Sequence, residues 1–286
     1  MTRYLLGLVT AANLLCYINF GLVTKGVLVR RSCRNLTAPN SVVNVIVNPA
    51  TDRNPAQLDY ESFVRERVAE VRQRIDAARV VPGGQPEVVL VAVTKTHPVN
   101  AVMAAWKAGV LDVGENKVQE ASEKMAEVSV PVRWHLIGHL QRNKAKGAVQ
   151  FDLVHSIDTE RLALAVNEAA RAANKVQDVL MQVNVSGEGS KGGVPLHEVA
   201  LLAAALHRCQ NLRVTGVMTM APFDAPETVL RSVFSGARAV GEQLRAEGHP
   251  ATALSMGMSD DYEVAVAEGA TLVRLGTVLF GHRASP

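Results

Sequence analysis

One lysine stands at the end of an apolar run, where a charged side chain is unexpected. The segment VVLVAVTKTHP covers Val88–Pro98, and Lys95 follows seven residues of which six are apolar. A buried strand that ends on lysine usually ends in solvent, where the ammonium group is hydrated. The alternative is that Lys95 lies at the mouth of a ligand site, where a desolvated amine can attack a carbonyl carbon.

Two later segments, LSMGMS and VRLGT, are rich in glycine and in hydroxyl side chains. They contain Ser255, Gly257, Ser259, Gly276 and Thr277. Glycine lets backbone N–H groups approach an anion closely, and hydroxyl groups add further donors. Either segment alone is typical of a tight turn. Together, in neighbouring elements, the two segments favour a phosphate site.

Arg274 lies two residues before Gly276, and this spacing bears on the class of ligand. A reactive lysine with a phosphate site fits a phosphorylated sugar, as in a class of aldolases, or pyridoxal 5′-phosphate (PLP), whose aldehyde forms a Schiff base with lysine. Alternation along a strand places Arg274 and Gly276 on the same side, so the guanidinium can reach the ring nitrogen of a PLP whose phosphate is held by Gly276 and Thr277. Arg274 therefore favours PLP, and its structural alternative is an ion pair with Glu115.

The composition excludes several other classes of function. The 286 residues are 48% apolar and 20% charged, which is ordinary for a globular protein, and the net charge is only +3. No dense Lys/Arg tract suggests nucleic-acid binding. The three cysteines form neither a disulfide framework nor a metal motif, and the eight histidines include no HExxH cluster. We therefore expect no metal site and a reducing compartment.

From Asp59 onward the sequence alternates between helical patterns and short apolar runs. A helix begins near Asp59 and ends before Pro82. The eight apolar runs are residues 88–94, 110–113, 134–138, 152–157, 178–185, 213–218, 252–257 and 271–275. Helical stretches between them include Val99–Lys107, Lys117–Glu127, Thr159–Asn174, Pro195–Cys209, Pro226–Glu247 and Asp260–Glu268. Eight strand–helix units over about 225 residues predict an α/β fold, a single (β/α)8 TIM-type barrel. An open doubly wound sheet is disfavoured because no GxGxxG motif opens a first strand-to-helix turn.

In such a barrel, the carboxyl ends of all the strands form one face, and active sites lie there. Lys95, Asn116, His155 and Arg274 lie at or near the ends of four different predicted strands. Loops explain small polar residues, but they do not require a lysine, an asparagine, a histidine and an arginine on the same rim. The sequence therefore predicts a ligand site at this rim.

The first 57 residues differ from the rest of the chain. No charged residue occurs between Arg3 and Lys25, which is long enough for a membrane span, although asparagines and glycines interrupt it. A membrane span, a signal peptide and an over-extended gene start are the alternatives, and we favour the last. Residues 1–57 are predicted to be an extension of apolar leader and linker, and residues 58–286 the barrel domain, without a membrane segment in the main domain.

Seven motifs, in order along the chain, closely resemble those of the pyridoxal phosphate homeostasis proteins: VAVTKTHP, GENKVQE, WHLIGHLQRNK, VHSIDTERLA, VNVSGEGSKGG, GVMTMAP and LSMGMSDDYEVAVAEGATLVRLGTVLFG. These are single-barrel PLP-binding proteins related to the N-terminal domain of alanine racemase. The resemblance runs from about Asp59 to Gly281. It implies a barrel of the alanine racemase N-terminal-domain type, preceded by an extension that the family does not share.

The resemblance also implies roles for individual residues. Lys95 is then the Schiff-base lysine, and Arg274 faces the pyridine nitrogen. The phosphate is held by Ser255, Gly276 and Thr277, and Gly257 and Asn116 lie beside the cofactor. The family often has aromatic residues at Val113 and Lys117 and phenylalanine at Leu136, and these departures remove no group with an assigned role. Lys191, in the SGEGSKGG loop, is either a second amine near the pocket or a solvated loop lysine, and we favour the latter.

Two functions of different classes are compatible with this reading: a weak amino-acid racemase and a PLP-binding protein without turnover. Racemisation commonly uses bases on both faces of the cofactor, and in the racemase relatives the second base comes from a β domain after the barrel. Only five residues follow Gly281 here, so Tyr262 or His139 would have to serve. We therefore expect a cytoplasmic, monomeric protein of PLP (vitamin B6) and amino-acid homeostasis that can pass PLP to apo-enzymes.

Overall fold

The computed structural model describes residues 55–79, 87–189 and 191–281. The predicted extension, residues 1–57, lies outside this part of the chain except for its last three residues. These residues belong to the first helix, α1 (Pro55–Ala78), which begins four residues before the predicted start. Proline suits this first position because the N–H that it lacks has no acceptor within the helix. No helix in the described ranges is both long enough and apolar enough to cross a bilayer.

Residues 59–281 are organised around a closed barrel of eight parallel strands, as predicted. Its strands are β1 (Val89–Val93), β2 (Asp112–Glu115), β3 (Arg133–Leu136), β4 (Leu153–Ile157), β5 (Gln177–Asn184), β7 (Leu212–Met218), β8 (Ala253–Ser255) and β9 (Leu272–Leu275). The order is β4-β3-β2-β1-β9-β8-β7-β5, and pairing of β4 with β5 closes the barrel. A short strand that the sequence did not predict, β6 (Val194–Pro195), pairs with the end of β5.

Helices connect the strands and cover the outside of the barrel. They are α2 (Val99–Lys107), α3 (Val118–Glu127), α4 (Ala145–Ala148), α5 (Glu160–Ala172), α6 (Val199–His207), α7 (Glu227–Ala246), α8 (Tyr262–Ala267) and α9 (Thr277–Phe280). Two 3₁₀ turns, Arg142–Lys144 and Leu196–Glu198, lead into α4 and α6. In α7 the buried residues Leu230, Val233, Ala237, Val240 and Leu244 recur every three or four positions, so one face packs on the sheet.

Alternation along the strands gives the barrel an apolar outside and a partly polar inside. Leu90 and Ala92 of β1 belong to the hydrophobic core between the sheet and the helices. Val91, between them, points the other way and pairs in register with Arg274 of β9. The lumen therefore contains Arg274. The same interior holds the buried polar residues Asp112, His135, His155 and Ser255. Bulky aliphatic side chains usually fill this space in a barrel, so the polar residues require a specific explanation.

Candidate functional site

Four neighbouring strands contribute all the residues that the sequence assigned to the site. Lys95 follows β1 and Asn116 follows β2, while Ser255 ends β8 and Arg274 lies in β9. Strand β1 pairs with β2 and β9, and β9 also pairs with β8. The remaining predicted residues, Gly257, Gly276 and Thr277, follow β8 and β9. The predicted residues therefore gather along one side of the carboxyl-terminal mouth of the barrel.

Lys95 lies in a tight turn whose backbone is strained. The N–H of His97 donates to the carbonyl of Thr94 at 3.0 Å, and Thr96 has a φ of +63°. This left-handed conformation is unfavourable for a β-branched residue and persists only where surrounding contacts enforce it. The alternation that turns Val91 and Val93 inward continues to Lys95, which is half-buried, whereas Thr94 points outward.

A buried lysine, Lys124 of α3, holds this turn from outside the barrel. Its Nζ donates to the Thr94 carbonyl at 2.7 Å, to Glu115 Oε1 at 2.7 Å and to Glu120 Oε1 at 2.9 Å. The Thr94 hydroxyl donates to Glu115 Oε1 at 2.7 Å, and the Thr96 N–H donates to Glu120 Oε1 at 2.5 Å. Two carboxylates and one ammonium group therefore fix the backbone on both sides of Lys95.

Glu115 is the most strongly desolvated member of this cluster. Its side chain is fully buried, and its Oε2 has no hydrogen-bond partner in the part of the chain that the structure describes. Burial raises the pKa of Glu115 above its ordinary value, and the hydrogen bonds from Lys124 and Thr94 offset only part of that effect. The carboxylate therefore depends on the Lys124 ammonium group to remain ionised.

Arg274 is buried in the lumen and is held by two hydrogen bonds. Its Nη1 donates to Ser255 Oγ at 2.6 Å, and its Nη2 donates to the Thr219 carbonyl at 2.9 Å. Burial lowers the pKa of Arg274 to about 10, and Asp261 opposes part of that shift. The guanidinium therefore stays charged at neutral pH. It makes no ion pair with Glu115, which was the structural alternative, because Glu115 points to the outside of the barrel and binds Lys124.

Ser255, which ends β8, is held inside the lumen by two hydrogen bonds. Its hydroxyl accepts from Arg274 and lies 2.9 Å from His155 Nδ1, so it is engaged inside the lumen. The phosphate contact expected at Ser255 remains a prediction.

The glycine-rich loops after β8 and β9 are built for close backbone approach. Gly257 has a φ of +92°, and an added Cβ there would lie only 2.7 Å from the Cβ of Ala265. Gly276 precedes α9 and Thr277 begins it. The N–H groups at the start of a helix have no acceptor within that helix, so they remain available to another acceptor. Both loops border the same side of the mouth as Arg274.

The structure separates the two barrel residues that could act as a second base. Tyr262 is only 2% exposed, and the Arg74 guanidinium of α1 lies 5.6 Å from the centre of its ring, outside the barrel. His139 lies at the carboxyl-terminal face, with a side chain that is 69% exposed and 3.9 Å from Asp158 Oδ2. Tyr262 is therefore not a group of the lumen site.

Lys191 is neither free in solvent nor buried in the lumen. Its ammonium group donates to the carbonyl of Ala221 and lies 3.7 Å from Glu188 Oε2, and its side chain is 19% exposed. It ties the loop after β5 to the loop after β7. The prediction of a solvated loop lysine is therefore wrong.

Sequence reasoning missed the residues that support Lys95 and Arg274. His155 was placed on the rim, but it is fully buried in the lumen, where it contacts His135. The signal for this contact was the alternation in WHL and VHS, which places a histidine at an inward position of each strand. Nothing in the spacing of Lys124 showed that it returns to the end of β1.

The family comparison agrees with this geometry. The family model described as alanine racemase, N-terminal domain, matches residues 67–284. The pyridoxal phosphate homeostasis protein of Pseudomonas aeruginosa is 42% identical over 225 residues, which cover 78% of this chain and 96% of that protein. The Escherichia coli K12 protein of the same name is 40% identical over 229 residues, which cover 77% and 97%. This chain belongs to the pyridoxal phosphate homeostasis protein family.

Solved structures extend the comparison. PipY of Synechococcus elongatus, solved with PLP bound, is 37% identical with a TM-score of 0.67, and the match covers 76% of this chain and all of that chain. The alanine racemase of a D-cycloserine-producing Streptomyces lavendulae is 22% identical with a TM-score of 0.65, over 79% of this chain and 58% of that chain. The likeness to the racemase concerns the fold alone. The family and the barrel that the sequence predicted are confirmed.

The Lys124 cluster predicts a large loss of stability when its ammonium group is removed. Lys124→Met leaves the buried Glu115 without its ammonium partner, so the free energy of unfolding in urea should fall by about 3–5 kcal/mol. The double variant Lys124→Met, Glu115→Gln should recover part of the lost free energy of unfolding. The control is Lys117→Met at an exposed lysine, which should change stability by less than about 0.5 kcal/mol. An equally small effect of Lys124→Met would contradict this account of the cluster.

Proposed function

We propose that this chain binds PLP at the carboxyl-terminal mouth of the barrel and acts in PLP (vitamin B6) and amino-acid homeostasis. The observation that carries the proposal is the pairing of β1 with β9, because it brings the amine of Lys95 and the guanidinium of Arg274 to the same side of the lumen. The names of the curated relatives and the PLP-bound structure of PipY support the choice of ligand.

The donors at this mouth match the functional groups of PLP. When bound, PLP supplies an aldehyde that condenses with a primary amine, with loss of water, and a ring that withdraws electrons. We assign the amine to Lys95 and the contact with the ring nitrogen to Arg274. We assign the phosphate to the backbone N–H groups of Gly257, Gly276 and Thr277, with the Thr277 hydroxyl as a further donor. Asn116 directly follows β2, the strand that pairs with β1, and we assign it to the border of the ring.

The charge on Arg274 favours binding over turnover. A guanidinium can only donate hydrogen bonds, so a ring nitrogen that faces it accepts one and stays unprotonated. An unprotonated ring is a weaker electron sink, which disfavours the carbanion chemistry of a racemase. Tyr262 is also removed from the list of second bases because it packs against Arg74 on the outside of the barrel. We therefore place the function with PLP binding rather than with racemisation.

Lys95→Ala tests the covalent attachment of the cofactor. Wild-type protein mixed with PLP should absorb at about 410–430 nm, and borohydride should then fix one PLP to a peptide that contains Lys95. Lys95→Ala should lose both the band and the label. Lys117→Ala, at an exposed lysine that is not assigned to the site, should keep both. A wild-type protein that stays colourless with added PLP would overturn the proposal in favour of a phosphorylated sugar ligand.

We further propose that the protein works in the cytoplasm and hands PLP to apo-enzymes. The sequence contains only three cysteines, which suits a reducing compartment, and Cys209 is a buried free thiol. The test mixes the holo-protein with an apo PLP-dependent enzyme and compares it with free PLP at the same total concentration. The activity of the apo-enzyme should return faster with the holo-protein than with free PLP. An excess of the Lys95→Ala protein, added with free PLP, should not produce this faster return. Equal rates would exclude delivery.

We propose that the chain acts as a monomer. Light scattering of the protein eluting from a size-exclusion column should give a mass near 30.6 kDa, the mass of one chain. A mass near twice that value at micromolar concentration would contradict this proposal. Titration of the sample with PLP shows whether cofactor binding changes the result.

A further inference from the structure

A row of hydrogen-bonded polar side chains crosses the lumen below Arg274. Arg274 Nη1 lies 2.6 Å from Ser255 Oγ, and Ser255 Oγ lies 2.9 Å from His155 Nδ1. His155 Nε2 lies 2.9 Å from His135 Nδ1, and His135 Nε2 lies 2.9 Å from Asp112 Oδ1. All five side chains are buried. The row therefore connects the ligand mouth with the amino-terminal end of the barrel.

Asp112 ends the row and is held as a carboxylate. Arg133 Nε donates to its Oδ1 at 2.7 Å, and Arg133 Nη2 donates to its Oδ2 at 2.6 Å. Burial opposes ionisation, but the hydrogen bonds from His135 and Arg133 bring the pKa of Asp112 below its ordinary value. An ionised carboxylate only accepts hydrogen bonds, so His135 Nε2 must carry a proton and donate it.

The direction of each remaining hydrogen bond follows from the two ends. Because a neutral His135 donates through Nε2, its Nδ1 is an acceptor and receives the Nε2–H of His155. His155 Nδ1 is then an acceptor and receives the Ser255 hydroxyl proton. The Ser255 oxygen in turn accepts from Arg274, which can only donate. With both histidines neutral, one arrangement therefore satisfies the whole row, with every proton pointing away from Arg274 and toward Asp112.

The surroundings favour a neutral His155 in this arrangement. Burial holds the pKa of His155 well below its ordinary value, and the positive charge of Arg274 acts in the same direction. His135 borders a cavity of about 400 Å³ at the amino-terminal mouth, which is also lined by the charged residues Glu87, Asp112, Arg133, Asp152 and Asp178. A cationic His135 would donate through both nitrogens, so His155 would become an Nδ1–H donor to Ser255.

We infer that Asp112, His135, His155 and Ser255 are positioning residues for Arg274, and that they hold its guanidinium toward the ligand through hydrogen bonds that all run from Arg274 to the Asp112 carboxylate. This inference rests on the proposed function for the identity of the ligand. The direction of the hydrogen bonds in the row does not depend on a bound ligand. The row also gives the buried Ser255 hydroxyl a role toward the arginine. A change of charge at Asp112 then alters the hydrogen bonding of Arg274 at the opposite mouth, although Asp112 itself does not contact the ligand.

The chain offers a matched control for Asp112. Asp178 of β5 accepts from Arg213 Nε at 2.5 Å and from Arg213 Nη2 at 2.6 Å, which repeats the geometry of the Asp112–Arg133 pair. Both pairs join residues in register on adjacent strands, and both carboxylates line the same cavity. Only Asp112 contacts the histidine row. Asp112→Asn and Asp178→Asn therefore remove similar carboxylates, one inside the row and one outside it.

The first measurement is made on the full-length protein without PLP. Nitrogen-15 labelling of the histidine rings and long-range proton–nitrogen spectra report which ring nitrogen carries the proton, with assignment by loss of signals in His155→Asn and His135→Asn. Wild type should show the Nε2–H tautomer for both His135 and His155. Asp112→Asn should change the ring signals of both histidines together, whereas Asp178→Asn should leave both unchanged.

The second measurement is the affinity for PLP, read from the absorbance of the bound cofactor. Asp112→Asn should weaken binding by about tenfold, and Asp178→Asn by less than about twofold. If Asp112→Asn does not fold, Ser255→Ala should change the His155 ring signals and weaken PLP binding in the same way. Thermal unfolding of each variant separates these effects from a general loss of structure.

Two results would overturn the inference. The first is an Nδ1–H tautomer at His155 in the wild type, because the row would then run the other way. The second is an equal effect of Asp112→Asn and Asp178→Asn on PLP affinity. A wild-type protein that shows the predicted tautomers but binds no PLP would instead refute the proposed function and leave the direction of the row established.

Discussion

A positive charge inside the barrel is the constraint around which this structure is organised. Burying a guanidinium in a lumen costs several kcal/mol unless hydrogen bonds replace its water. Arg274 meets that requirement with the Thr219 carbonyl and the Ser255 hydroxyl, and Ser255 is in turn linked to two buried histidines and a carboxylate. Polar side chains therefore occupy inward positions that a purely structural barrel would fill with valine or leucine.

Along each strand, side chains point alternately into the lumen and toward the helices, and the two sets have different roles. Thr94 and Glu115 point out of the sheet and bind Lys124, which fixes the strained turn that carries Lys95. Val91 and Arg274 point into the lumen. Lys95 and Arg274, the groups proposed to bind PLP, are thus positioned from both sides of one sheet. The support comes from packed strands and a helix rather than from loops, which favours a precise arrangement.

The fold itself does not distinguish a carrier of PLP from an enzyme that uses it. A racemase with 22% identity shares the barrel, whereas relatives at about 40% identity share the name of the homeostasis family. The match covers only 58% of that racemase chain, so the shared barrel by itself assigns no activity. In the proposed function, the charged Arg274 and a Tyr262 that packs outside the barrel both favour holding the cofactor over activating it.

The sequence by itself determined the barrel, its family and the residues that gather at one mouth. Hydrophobic periodicity and motif order are local properties, and they were enough to place Lys95 and Arg274 at the ends of neighbouring strands. Only the tertiary structure decided the partners of those residues. Lys124 returns to the end of β1 from a helix, and Ser255 lies beside His155, a hundred positions away in the chain. Such contacts depend on closure of the sheet and on side-chain direction, and the spacing of residues along the sequence determines neither.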